Sequence, residues 1–237
     1  MSSITVNRRV LQKLIPIAIG YLALGIACGI LAQQAGLTPL EALGMSVLVF
    51  AGSGQFIGIA MMAQGAALVS IGLTIFIVNL RHLLFSSTLM NFFNGRSKNF
   101  LIGYAHGITD ETFAVNLNAF ETETDPRWTC EEALGLNITS CAVWSLSNAL
   151  GCYAAAYLNP AYRAWSPDLL IAMFLGIWVN YLTDRKMIIT GLVSGLLAIL
   201  LSQIVPYKLH IVLATLAASG AACYITERHA GGADNVR

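Results

Sequence analysis

The chain has 237 residues, of which 57% are hydrophobic and 11% charged, with a formal net charge of +1. An ordinary globular domain carries roughly 25% charged residues, so water is not the main solvent of this chain. Lys and Arg gather at segment ends rather than on a basic face, which argues against nucleic-acid binding. At roughly 20 residues per membrane-crossing helix the length holds several spans and leaves no room for a separate soluble domain.

Arg8, Arg9 and Lys13 precede an apolar run from Leu14 to Leu31. The run resembles a signal peptide, and Gly25-Ile26-Ala27-Cys28 a weak lipoprotein cleavage box, but more apolar segments follow at once, so a retained signal-anchor span is the better reading. Further apolar segments fall near 41–63, 66–91, 100–120, 133–158, 168–183, 187–205 and 208–226. The expected fold is all-α and polytopic, with about eight transmembrane helices in a single transmembrane domain over 1–237. Short tails are expected at about 1–13 and 227–237, and an acidic central loop broken by Pro126 at about 121–132. Cys28, Cys130, Cys141, Cys152 and Cys223 show no C-x-x-C pairing, so small apolar filler is expected rather than a disulfide, metal site or cofactor.

The 100–120 segment carries His106, Asp110, Glu111, Asn116 and Asn118, and hydropathy alone rejects it. The excess of Lys and Arg in cytoplasmic loops arbitrates. With 100–120 spanning and the N-terminus inside, eight cations lie inside and four outside, Arg96 and Lys98 among the four; without it the count is five against seven. The spanning reading puts both termini in the cytoplasm. Glu41-Ala42-Leu43-Gly44 and Glu132-Ala133-Leu134-Gly135 open segments of opposite direction, as an inverted repeat requires.

Polar groups at membrane depth are costly and are kept for packing, partner binding or a pathway for polar cargo. The second segment holds Gly52, Ser53, Gly54 and Gln55. Its glycines serve close helix packing through the Gly54–Gly58 spacing, or an unwound patch that offers backbone N–H and C=O groups to a ligand. The third segment holds Asn79, Arg81 and His82. In a continuous helix Asn79 and His82 share one face and Arg81 lies nearly opposite, a geometry that a break near Asn79 voids. Insertion scales charge about 2.5–3.5 kcal/mol for an arginine at the bilayer centre, so Arg81 needs the outer headgroups, Asp110 or Glu111, or a substrate carboxylate. In the fourth segment His106 and Asp110 are one helical turn apart, a spacing that suits a proton relay or simple charge balance, while Glu111 points elsewhere. The row Asn137, Ser140, Trp144 and Asn148 in the fifth segment has helical spacing and suits interhelical hydrogen bonding.

Enzyme chemistry has little support. The nucleophile elbow G-x-S-x-G fails at Ala51 and Gln55, which argues against an intramembrane serine hydrolase, and no lysine follows a glycine as a phosphate loop requires.

The residues Phe50 to Phe56, the Asn79-Leu80-Arg81-His82 box and the Thr109-Asp110-Glu111 box resemble the AzlC family, also called the YgaZ type, with similarity from about Leu14 to Tyr224. The Asp168 to Trp178 stretch is similar in kind, and Gly54 is a mild departure from the family pattern. The resemblance implies the large subunit of a bacterial branched-chain amino acid exporter. Such a protein carries valine, leucine, isoleucine and sometimes methionine across the cell inner membrane, with a small hydrophobic partner of the AzlD or YgaH type. Proton coupling is the expected drive. A passive channel and a non-transporting assembly subunit are the alternatives.

Overall fold

The computed structural model describes residues 4–123, 127–157 and 185–204, with short helical pieces at 213–214, 217–218 and 220–222. The expected span at 168–183, the Asp168 to Trp178 stretch, the tail at 227–237 and Cys223 lie outside the described residues, as does most of the span expected at 208–226.

The helices are α1 (Arg8–Gln34), α2 (Pro39–Leu48), α3 (Gly52–Ala63), α4 (Leu68–Asn79), α5 (Arg81–Leu89) with a 3₁₀ turn at Met90–Phe92, α6 (Lys98–His106), α7 (Asp110–Thr122), α8 (Cys130–Ala155) and α9 (Arg185–Ser202). Leu68–Phe92 and Arg8–Gln34 are each long and apolar enough to cross a membrane. The described residues thus bear out the all-helical class.

The frame is a parallel pair, α1 and α8. Asn7 caps α1, accepting from the Val10 N–H at 3.0 Å, and Thr129 with Glu132 forms a capping box at the start of α8. Glu132 also accepts from Asn7 at 2.7 Å and pairs with Arg9 at 3.2 Å, so one carboxylate joins both helix starts. At the other end Cys152 Sγ donates to the Leu37 carbonyl at 3.3 Å. The two backbones touch through glycine. A Cβ on Gly29 would lie 2.0 Å from the Asn148 carbonyl oxygen, and one on Gly151 2.2 Å from that of Ile26. Small residues at such a crossing let dispersion act where lipid removes the hydrophobic drive. Gly25 and Gly29 make this G-x-x-x-G pair, inside the run that resembles a signal peptide.

Between these pillars the chain does not simply zigzag. The start of α2 lies beside Leu37, at the far end of α1 from the N-terminus. A break at Val49–Ala51 follows near mid-depth, and α3 returns antiparallel to α4, with Gly54 against Asn79 and Gly58 against Ile75. The α4–α5 rod then descends to the near end. There Phe92 stacks on Phe120 (4.7 Å between ring centroids), and the Phe92 carbonyl accepts from Cys130 Sγ. From that end α6 rises, breaks at Gly107–Thr109, and returns as α7, whose terminal Glu123 pairs with Lys13 at 2.7 Å and with Arg9. Asn137 of α8 bridges the two arms at one level, donating to the Tyr104 carbonyl and accepting from the Asn116 amide, both at 3.0 Å.

The segments near 41–63 and 100–120 are therefore re-entrant pairs of half-helices entering from opposite ends. Half-helix pairs of this kind are permitted at membrane depth only where protein or a cavity satisfies the exposed backbone. The order short arm, break, return arm and long rod occurs twice, in α2, α3 and α4–α5 and again in α6, α7 and α8, starting from opposite ends as the expected inverted repeat requires. The Glu-Ala-Leu-Gly match has a local cause instead, because Glu41 and Glu132 are the third helical residues of two capping boxes.

This path corrects the position of Arg96 and Lys98, which the spanning reading of 100–120 put on the side opposite the N-terminus. They share the near end with Arg8, Arg9, Lys13 and Arg127, while the far-end turns at 35–38 and 64–67 hold no Lys or Arg. In a cysteine-free background, Arg8→Cys and Asn94→Cys are expected to react with an impermeant maleimide from one face of the membrane. Ala66→Cys is expected to react from the other. Labelling of Asn94→Cys and Arg8→Cys from opposite faces would refute the re-entrant path.

Candidate functional site

The two breaks meet at mid-depth and enclose a cavity of about 300 Å³ between α1, α3, α5, α7 and α8. Its lining combines five aromatic rings, Tyr21, Phe50, Phe85, Phe113 and Trp144, with three charged side chains, Arg81, Asp110 and Glu111. Tyr21 meets Phe50 and Trp144 edge to face at 6.1 and 5.2 Å, and Phe85 stacks on Phe113 at 4.4 Å.

Two helix N-termini open on this space, and they differ. The chain enters α3 through Ala51, which has no side chain to cap it, so the N–H groups of Gly52, Ser53 and Gly54 have no hydrogen-bond partner among the described residues. An open N-terminus carries roughly half a positive charge and is a ready anion site. Gly52 keeps it bare, because a Cβ there would sit 3.2 Å from the Trp144 ring. α7 begins with a capping box, Thr109 with Thr112, and carries Asp110 and Glu111 in its first turn.

Arg81 joins the two re-entrant tips. Its guanidinium donates to Ser53 Oγ of α3 at 2.6 Å and pairs with Asp110 of α7 at 3.1 Å. Arg81 Nε is buried and has no hydrogen-bond partner among the described residues. Of the sequence-stated options for this arginine, the pairing with Asp110 is therefore realised, with donor capacity left over.

Glu111 is held by α1. Tyr21 OH donates to Glu111 Oε2 at 2.9 Å and lies 2.6 Å from Thr109 Oγ1. The other expected site residues separate into supports and bystanders. Gln55 is fully buried behind the cavity, donating to Ser46 Oγ at 2.9 Å and accepting from Trp144 Nε1 at 2.6 Å, so it braces the wall rather than lining the pathway. Gly54 lets Asn79 pack against α3, and Asn79 Oδ1 is buried without a partner among the described residues.

The Asn79 to His82 box is not one continuous α-helix, so Asn79 and Arg81 do not take opposite faces. The helix tightens at Leu80, where Leu80 N–H bonds to Ile77 and Leu83 N–H to Leu80, so α4 and α5 are separate helices. Asn79 and Arg81 then meet neighbouring residues of α3, Gly54 and Ser53, while His82 lies beside the Phe85 ring at 5.9 Å and off the cavity wall. The pairing of His106 with Asp110 also required an unbroken helix. With Gly107–Thr109 between them, His106 is exposed and its Nε2 bonds the Val47 carbonyl at 2.7 Å, tying the two tips together. The fifth-segment row is partly as expected, since Asn137 and Trp144 do make interhelical bonds.

At the near end Arg9 and Lys13 pair with Glu123, Arg9 also with Glu132, and Arg96 with Glu131. Partial burial pushes the Glu123 carboxyl up, but its bonds to Lys13 and Arg9 outweigh this and hold it below the usual carboxylate range. Among the described residues no group of His, Cys, Asp and Glu has the makings of a metal site, and Cys28, Cys130, Cys141 and Cys152 are free thiols.

Fold and cavity together define a polytopic all-α membrane protein whose re-entrant half-helices converge on a charged, aromatic-walled site. The family model described as AzlC protein matches residues 16–158, and the chain belongs to that family. It is 29% identical over 189 residues to inner membrane protein YgaZ of Escherichia coli, covering 78% of this chain and 77% of that one. An uncharacterized membrane protein of Archaeoglobus fulgidus is 34% identical over 197 residues, 82% of this chain and 84% of the relative. The branched-chain amino acid transport protein AzlC of Bacillus subtilis is 31% identical over 105 residues, 44% and 41% of the two chains. No solved structure matches.

Proposed function

We propose that this protein is a secondary transporter that exports branched-chain amino acids, valine, leucine and isoleucine with methionine as a further cargo, across the inner membrane of a bacterial cell. The observation that carries the reading is one cavity that brings a cationic group, two carboxylates and an aromatic lining together. The bare α3 N-terminus and Arg81 suit a carboxylate, and Glu111, with the Arg81-paired Asp110 beside it, suits an ammonium group. The aromatic wall suits an apolar side chain, and a cavity of about 300 Å³ falls at the small end of ligand pockets. The printed name of the Bacillus subtilis relative, a branched-chain amino acid transport protein, supports the substrate class, and that of the Escherichia coli relative supports the membrane.

The cationic near end faces the cytoplasm by the positive-inside rule, so the N-terminus is cytoplasmic. Proton flow drives export, and a small hydrophobic subunit of the AzlD or YgaH type completes the permease. The test is uptake of labelled leucine into inverted vesicles carrying this chain with and without that subunit, under an imposed proton gradient. Accumulation against the leucine gradient supports the proposal. Equilibration only would make the protein a passive channel, and no leucine movement with either composition would end the amino-acid reading.

A further inference from the structure

We propose that Glu111 is the exchange site of the transporter: one carboxylate that holds either a proton or the substrate's ammonium group, with Tyr21 as its positioning residue. The proposal rests on the amino-acid reading above and adds the group through which proton and cargo are coupled.

The two cavity carboxylates are not equivalent. Asp110 is committed to Arg81 at 3.1 Å. Glu111 has no Lys, Arg or His within 4 Å among the described residues, although it lines the same cavity. At mid-depth an uncompensated carboxylate is expensive, and it is relieved either by taking up a proton or by an incoming cation.

The hydrogen-bond network leaves one oxygen of Glu111 open for that choice. Thr112 Oγ1 donates to the Gly107 carbonyl at 3.0 Å, so its proton is used. Thr109 Oγ1 accepts from Thr112 N–H and lies 3.2 Å from Thr112 Oγ1 and 2.6 Å from Tyr21 OH, so its own proton goes to one of these two hydroxyls. The tyrosine proton then goes to Glu111 Oε2 at 2.9 Å, while Oε1 has no hydrogen-bond partner among the described residues. The phenol is itself held in place, because its ring is wedged between Phe50 and Trp144 and its backbone carbonyl accepts from Ser147 Oγ at 3.0 Å. The groups facing Glu111 from packed elements are thus Tyr21 of α1, Arg81 of α5 through Asp110, and Thr109 beside it.

The step balances without a further reactant. In the empty site Glu111 carries a proton on Oε1. A zwitterionic amino acid brings its ammonium to that oxygen, the O–H bond breaks, and one proton leaves to solvent for each substrate bound. The substrate stays protonated at nitrogen, so a neutral cargo is exchanged for one positive charge. Because proton and ammonium compete for one oxygen, both cannot ride together, and this exclusion is what couples flow in opposite directions.

The experiment is equilibrium binding of labelled L-leucine to the purified full-length protein between pH 5 and 9, with proton release followed by a pH indicator. Apparent Kd is expected to rise about tenfold per pH unit on the acid limb, with up to one proton released per leucine. Glu111→Gln should bind weakly, with an affinity independent of pH and no proton release. Tyr21→Phe should keep the pH dependence but begin losing affinity at higher pH, because a donor to the charged form is gone; a purely structural role for Tyr21 would lower affinity without moving the profile. Proton release retained in a folded Glu111→Gln protein, or a pH-independent affinity in the unaltered protein, overturns the exchange role. Failure of the unaltered protein to bind leucine at any pH overturns the amino-acid reading and this proposal with it.

Discussion

Arg81→Ala is expected to reduce leucine transport by about ten- to a hundredfold, and Arg81→Lys to lose nearly as much while inserting and folding normally. The guanidinium engages Ser53 and Asp110 at once and still has a buried Nε without a partner among the described residues, whereas an ammonium is a single point of donation. Hydrogen bonds to charged groups are worth about 1.5–3 kcal/mol, which gives the range for transport. The effect on stability is smaller. Side-chain exposure of 30% for Arg81 and 41% for Asp110 lets water in the cavity screen the pair. Arg81→Gln combined with Asp110→Asn removes both charges and is expected to recover most of the stability lost in Arg81→Ala, with transport still reduced. Vesicle uptake and melting in detergent read the two effects separately. Full transport by Arg81→Lys would mean that Arg81 is only a charge at depth and not a ligand for the cargo.

The polar half of this site was legible because hydropathy makes rare residues conspicuous. Gly52, Ser53, Arg81, Asp110 and Glu111 stand out in apolar runs, and all five line the cavity. The aromatic half was not, since Tyr21, Phe85 and Phe113 are ordinary occupants of membrane helices and Trp144 stood out only as part of a polar row. Their role depends on a junction of four segments that no local pattern encodes. Gln55 and His82 are as conspicuous as Arg81 in sequence, yet one braces Trp144 and the other lies beside Phe85. Polarity locates a buried group without saying which way it faces.

The path of the chain was harder to read than its composition. Twenty-five apolar residues have the same hydropathy whether they cross or turn back, so the re-entrant arms are invisible to a window average. Two local signals were present. Thr109-Asp110-Glu111-Thr112 is a helix start, which ends α6 before Asp110 and separates it from His106. Arg96 and Lys98 were also two of the four cations that the zigzag path left on the wrong side, and turning both pairs back removes that conflict.

The frame that holds both hairpins should be the least tolerant part of the molecule. Gly29→Val is expected to cost more than about 3 kcal/mol, beyond the usual range for overpacking, and to leave little folded protein. The reason is the partner atom. A Cβ at Gly29 meets the Asn148 carbonyl oxygen at 2.0 Å and the Cys152 nitrogen at 2.6 Å, both backbone atoms of α8 that cannot rotate away. At Gly25 the nearest atom is Ser147 Oγ, so Gly25→Ala combined with Ser147→Ala should recover part of the loss. Gly20 on the same helix has nothing within 4 Å, and Gly20→Val should melt within a few degrees of the unaltered protein. Helix propensity alone would rank Gly20→Val and Gly29→Val alike, since both replace glycine within α1. A melting series in detergent that failed to separate the two would show that α1 and α8 are not in backbone contact. The contact also matters to the site, because Tyr21 and Trp144 sit one turn from the Gly25 crossing and reach the cavity only while the two helices touch.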